Sequence, residues 1–144
     1  MARIPLPEPG LVVRYDFLWP EDAARGLVSG KDRPACVVLV VQRPLHPQSP
    51  EVILLPITHR PPSPGSFALE LPAAEKRRLG LDDERSWIAI EYANREDWPK
   101  GLVPVGGRNE GFTYGTLSGP IARQLAELLR AAARARRVTI VPRP

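Results

Sequence analysis

The chain has 144 residues, 43% of them apolar, and a formal net charge of +4. That length suits a single domain spanning residues 1–144 with its own core (roughly 100–200 residues is usual), and a lone cysteine excludes an internal disulfide. No apolar run reaches the roughly 18 residues of a membrane span and the N-terminus lacks a signal-peptide core, so a cytoplasmic protein with no membrane partner is expected.

Residues 1–9 are proline-rich and read as a flexible arm. From Leu11 to Trp19 the sequence alternates, with Leu11, Val13, Tyr15 and Phe17 on one face and Arg14 and Asp16 on the other, the pattern of a half-buried strand. Residues 20–32 are polar, contain two glycines and lack sustained periodicity; they predict a mobile loop with at most one helical turn. Ala35–Val41 and Val52–Ile57 are apolar on both faces, as central strands are. Cys36 lies inside the first of these runs and reads as a small buried hydrophobe.

Phe67, Leu69 and Leu71 alternate in a further strand. Pro72 then opens a short helix, AAEKRRL, closed by Gly80. Ser86–Tyr92 reads as another strand, residues 93–111 as an irregular stretch, and Phe112–Leu117 as a short last strand. The final helix, 119–137, starts at Gly119-Pro120. Ile121, Leu125, Leu128, Leu129 and Ala132 form its apolar stripe, with Arg123, Arg130, Arg134 and Arg137 opposite. Val138–Val141 closes as a brief strand or extended tail. Short, closely spaced strands with one long terminal helix predict a mainly β protein built as a small, strongly bent barrel. Eighteen prolines, most of them between strands, stiffen the connections without breaking a ladder.

Charge is unevenly placed. Residues 121–144 hold six arginines and one acid, a net +5, and the rest of the chain sums to −1. A basic closing segment points to an acidic partner, nucleic acid or an acidic peptide, although such a face also serves solubility. Arg33 stands at the start of one central strand and Thr58 at the end of the next, and residues 42–50 are long enough to join the two as antiparallel neighbours. That pairing would bring a guanidinium and a hydroxyl into one cleft, a pair suited to holding a phosphate. His59 follows Thr58 directly. Neighbouring side chains on a strand point to opposite faces, so His59 shares the cleft only if the strand ends at Thr58, which Arg60-Pro61-Pro62 allows. The plainer reading is an exposed loop histidine. No C-x-x-C, H-E-x-x-H, G-x-S-x-G or phosphate-loop signature occurs, so neither a metal nor a cofactor is expected.

Four segments in this order, GLVVRYDF from Gly10, KDRPACVVL from Lys31, VILLPIT ending at Thr58, and YGTLSGPIARQLAELL before and through the last helix, resemble the PemK/MazF family of toxin ribonucleases. The resemblance covers roughly residues 10–60 and 86–130. It implies an SH3-like barrel with a short inserted helix and a long C-terminal helix. It further implies a metal-independent endoribonuclease, the toxin of a type II toxin–antitoxin pair, that cuts single-stranded RNA by attack of the 2′-oxygen. A homodimer and a cognate antitoxin protein would be its partners. In the family the residues matching Arg33 and Thr58 are the catalytic pair, and the arginine is often given proton transfer too. An arginine stays protonated at neutral pH, so His59 is the alternative for that step.

Lys31, Arg60 and Arg95 are the cations nearest these motifs and are candidates for gripping RNA. Asn94 and Trp98 are candidates for reading or stacking on an unpaired base, Trp98 alternatively being a core plug. The chain departs from the family at Val28, where many members carry a glutamate in the loop over the substrate. Glu21, Asp22 and Asp32 are the acids nearby. It departs again at His59, where the family has serine. A non-catalytic module on the same barrel, as in relatives that poison DNA gyrase by protein contact, is the alternative reading, together with an inactive family relative.

Overall fold

The computed structural model describes residues 4–107 and 111–143. Residues 1–3 of the expected arm and 108–110 of the glycine-rich stretch therefore lie outside the described residues. The chain forms β1 (Leu11–Phe17), α1 (Pro20–Ala24), β2 (Lys31–Val41), β3 (Glu51–Thr58), β4 (Ala68–Glu70), α2 (Ala73–Leu79), β5 (Trp87–Ala89), β6 (Tyr92–Asp97), β7 (Thr113–Thr116), α3 (Gly119–Arg134) and β8 (Thr139–Pro142). The fold is mainly β, with three helices among the described residues. Among the described residues no helix is long and apolar enough to cross a membrane.

The strands run β4-β5-β3-β2-β1-β7 in one sheet that is not closed, with β6 also paired to β3 and β8 to β6. All pairings are antiparallel except β6 with β8. The pivot is β3. One edge follows β2, while its other edge is divided between β6 at Glu51–Leu54 and β5 at Ile57–Thr58. A single strand given two partners in this way must bend the sheet, and the turn at Ile90–Glu91 between β5 and β6 marks the bend. The one strand expected over Ser86–Tyr92 is therefore two short ones, and the stretch expected to be irregular from residue 93 begins inside β6.

Because β2 and β3 are central, their side chains supply two cores. Val12, Cys36, Leu55, Ile57, Ile88 and Ile90 face α2 and α3, which add Leu79, Ile121, Leu125 and Ala132. The odd-numbered face of β1 (Leu11, Val13, Tyr15, Phe17) packs with Ala35, Val37, Val52, Leu54 and Trp98. Each fully buried side chain of this size is worth about 1.5–3 kcal/mol of transfer free energy, so both faces of the sheet are held mainly by burial. The helices follow their sequence signals. Gly80 caps α2 at φ +71°, in the left-handed region a glycine enters without penalty. α3 buries Ile121, Leu125 and Ala132 and leaves Arg123, Arg130 and Arg134 exposed. It ends at Arg134, so Arg137 lies beyond the helix and pairs with Glu91.

Residues 20–32, expected to be loop with at most one turn of helix, contain α1 and the first residues of β2. The segment ends at a site only glycine fits: a Cβ on Gly30 would stand 1.8 Å from the carbonyl oxygen of Phe17. This close approach, with the Gly30 N–H donating to Asp16 Oδ1 at 2.8 Å, lays the loop against the end of β1 and sets the direction in which Lys31–Arg33 enter the sheet.

Candidate functional site

Register brings the first two candidates together. Arg33 pairs with Tyr15 on β1, and the β2–β3 ladder runs from Val37 opposite Leu54 to Ala35 opposite Pro56. Arg33 and Thr58 each lie two residues beyond the Ala35–Pro56 pair on neighbouring strands, and Thr58 itself faces Trp87 on β5. Arg33 and Thr58 accordingly line one cleft of about 270 Å³ together with Lys31, His59, Lys76 and Asp82. β3 ends at Thr58, so the alternation is broken there and His59 turns into the same cleft.

Trp19 organises the cations. It follows β1 on the face of Tyr15 and Phe17, and an edge-on aromatic row, Tyr15–Phe17–Trp19–Tyr92, holds its ring. The guanidinium carbon of Arg33 lies 5.1 Å and that of Arg60 6.0 Å from the centre of this ring. Attraction to an aromatic face is worth up to about 2 kcal/mol for a desolvated cation, enough to gather two like charges that otherwise repel. Burial pushes the Arg33 pKa down, the charge of Arg60 adds to that, and Asp22 partly offsets it. Among the described residues none of Lys31, Arg33 and Arg60 forms a salt bridge, and the buried Nε of Arg33 has no acceptor. The Thr58 hydroxyl oxygen accepts from the Arg60 backbone N–H at 3.1 Å, which leaves its own proton free to donate.

The floor of the cleft is a polar network that the sequence does not announce. Lys76 of α2 is only 4% exposed, and its ammonium donates to Asp82 Oδ1 (2.6 Å), Ser86 Oγ (2.7 Å) and the Glu84 carbonyl. Asp82 Oδ2 lies 2.8 Å from His59 Nε2. Burial pushes the Asp82 carboxyl up, but the hydrogen bond from Lys76, the Glu84 N–H, and the charges of Lys76 and His59 outweigh it and hold the group below the usual aspartate range. His59, Asp82 and Glu84 offer one ring nitrogen and two carboxylate oxygens within 4.8 Å of one another, a grouping that 23 residues of separation between His59 and Asp82 conceal in the sequence. Both Asp82 oxygens are already engaged, one by Lys76 and one by His59, so the grouping is built as a hydrogen-bond relay.

The remaining candidates divide. Lys31 and Arg60 border the cleft. Arg95 lies away from it, 3.7 Å from Glu51 on the far end of β3. Asn94 is a correction, whereas Trp98 takes its alternative reading as a core plug. Asn94 is fully buried, so no base reaches it; its amide donates to the Leu18 carbonyl (2.7 Å) and its oxygen accepts from the Leu18 N–H (2.9 Å) and Arg143 (3.1 Å). Trp98 is 3% exposed, packs in the second core and donates its indole N–H to the Pro5 carbonyl. The aromatic surface beside the cleft belongs instead to Trp19 and to Tyr92, which is 41% exposed. Both line a neighbouring hollow of about 210 Å³ walled by Pro61–Pro64 and opening at Thr58. The alternation of Leu11–Trp19 carries the signal for Trp19, since it continues the face of Tyr15, the residue paired with Arg33.

Val28 is exposed, and its carbonyl accepts from Arg143. Glu21 and Asp22 instead stand on the wall formed by Trp19, Arg33 and Arg60. Asp22 is held by Arg25 at 2.5 Å.

No family model matches this chain, and no curated protein matches it either.

Proposed function

We propose that the protein is a metal-independent endoribonuclease of the PemK/MazF type, the toxin of a toxin–antitoxin pair, acting on single-stranded RNA from a bent, SH3-like barrel. The observation that carries this reading is the set of unpaired cations, Lys31, Arg33 and Arg60, gathered at Trp19 beside a hydroxyl with a free proton and a histidine. Cations that no carboxylate bonds directly can take an anion from outside, and a phosphodiester offers two non-bridging oxygens to the planar guanidinium fork. The hollow beside Thr58, with Trp19 and Tyr92 in its wall, suits a base splayed from the same strand.

In this reading Arg33 and Thr58 bind the phosphoryl oxygens and stabilise the charge that grows on them as the 2′-oxygen attacks. The products are a 2′,3′-cyclic phosphate and a 5′-hydroxyl. A homodimer, a cytoplasmic setting and a cognate antitoxin follow from the family reading and stand or fall with it.

Incubating the protein with mixed-sequence RNA in EDTA, beside Arg33→Ala and Thr58→Ala, tests the proposal. Cleavage by the wild type that is lost in both variants supports it. Equal background in all three removes it, and RNA bound without being cut favours the non-catalytic module.

A further inference from the structure

Strand cleavage by a 2′-oxygen needs a group that takes up a proton near neutral pH, which a guanidinium does not do. We propose that Asp82, backed by Lys76, is a positioning residue that fixes the ring of His59 as the proton acceptor of the cleft. This rests on the nuclease reading above and assigns its missing proton-transfer step.

The geometry is specific. Asp82 is held from three directions, by the Lys76 ammonium and the Glu84 N–H at Oδ1 and by His59 at Oδ2. A carboxylate only accepts, so His59 Nε2 carries the N–H, and in the neutral ring Nδ1 keeps the lone pair. Among the described residues Nδ1 makes no hydrogen bond, and its ionic neighbour is Glu84 Oε2 at 3.8 Å. The side chain of His59 is half exposed, so Nδ1 is accessible, whereas Lys76 is sealed beneath and acts through Asp82 alone. The arrangement has the logic of an imidazole oriented through one nitrogen with the other left without a hydrogen bond.

The step balances as follows. The 2′-hydroxyl proton passes to Nδ1 as the 2′-oxygen bonds to phosphorus. The bond from phosphorus to the 5′-oxygen breaks with its electron pair on that oxygen, which takes a proton from water. The imidazolium then gives its proton to the resulting hydroxide and both are restored. The charged groups that bear on the ring during this cycle are Asp82 and Glu84 from the loop after α2, Lys76 from α2, Lys31, Asp32 and Arg33 from β2, and Arg60 next in the chain.

Two measurements decide the matter. In single-turnover RNA cleavage across pH 5–9, His59→Ala is expected to lose about 10²–10⁴-fold in rate together with the acid limb of the wild-type profile. Asp82→Asn is expected to lose at least about tenfold in kcat with KM nearly unchanged, because the wrong tautomer is then held. Wild-type cleavage by either variant overturns the proposal even if Arg33→Ala is dead, so its failure is distinct from that of the nuclease reading. A wild type that cuts no RNA removes the proton-transfer role along with that reading. Nitrogen-15 NMR of the His59 ring, which needs no substrate, tests positioning in every case. A single Nε2–H tautomer that becomes a mixture in Asp82→Asn supports it, and a ring indifferent to that substitution refutes it. Lys76→Met, which risks the fold, is not needed for either measurement.

Discussion

Two arginines, Arg143 over Tyr15 and Arg33 over Trp19, sit on different rings of the aromatic row and leave Nε without an acceptor in each case, yet their remaining donors are treated in opposite ways. Arg143 has a side chain only 6% exposed, and it donates to the Tyr15 hydroxyl, the Asp16 carbonyl and carboxylate, the Asn94 amide oxygen and the Val28 carbonyl. Its charge is met by Asp16 and its geometry is saturated. Arg33 has an aromatic face beneath it, a second guanidinium beside it and no carboxylate bonded to it. A saturated cation contributes to folding, because removing it strands buried acceptors. An unsaturated one adds little to folding and keeps its donors for a ligand. The contrast separates structural charge from charge open to a ligand better than burial does, since both groups are partly or wholly buried.

The contrast can be broken most forcefully at Arg143. Arg143→Ala is expected to cost about 3–5 kcal/mol, the usual result of removing one partner of a buried pair, and to lower Tm by roughly 10 °C for a domain of this size. Differential scanning calorimetry measures it. Arg33→Ala should do the reverse: a Tm within about 2 °C of wild type, and a rate of RNA cleavage lower by about 10²–10³-fold, some 2.7–4 kcal/mol of transition-state stabilisation. If the two variants destabilise equally, the division between them is wrong.

Asn94 tests whether the structural side extends to its partners. Asn94→Ala should cost about 1–3 kcal/mol in denaturant titrations by stranding the Leu18 backbone groups and part of Arg143. RNA affinity of the protein that remains folded should not change. Smallest is the effect at Lys31, exposed at the cleft rim. Lys31→Ala should reduce the slope of log affinity for single-stranded RNA against log salt by about 0.7, the loss of one phosphate contact, with no change in stability.

Much of this architecture is legible in the sequence because burial imposes periodicity. The alternation of Leu11–Phe17, the two-faced apolar runs of β2 and β3, Pro72 and Gly80 around α2 and the stripe of α3 each report a local rule that the fold obeys. Arg33 and Thr58 are legible for the same reason, as polar residues at the ends of two apolar strands joined by a connection long enough for pairing. The misplaced residues share a different cause. Asn94 and Glu96 are polar and read as loop, yet they are buried in β6 because Arg143, 49 residues from Asn94, and Tyr15, 81 residues from Glu96, supply their partners. The apparent Ser86–Tyr92 strand is split by a turn that carries neither glycine nor proline, so nothing local marks it. His59 and Asp82 likewise acquire meaning only when α2 brings Lys76 beneath them. Long-range satisfaction of polar groups leaves no periodic trace.

The clamp made by Arg143 reaches across the molecule. It ties the loop at Val28, which leads through Gly30 into the strand carrying Arg33, to a segment more than a hundred residues later. During synthesis, every group of the cleft has left the ribosome well before the residue that fastens the loop beside it. Until position 143 is made, the nascent chain holds Arg33 on an unsecured wall. Completion of this wall thus waits on a residue synthesised more than a hundred positions after the loop it fastens.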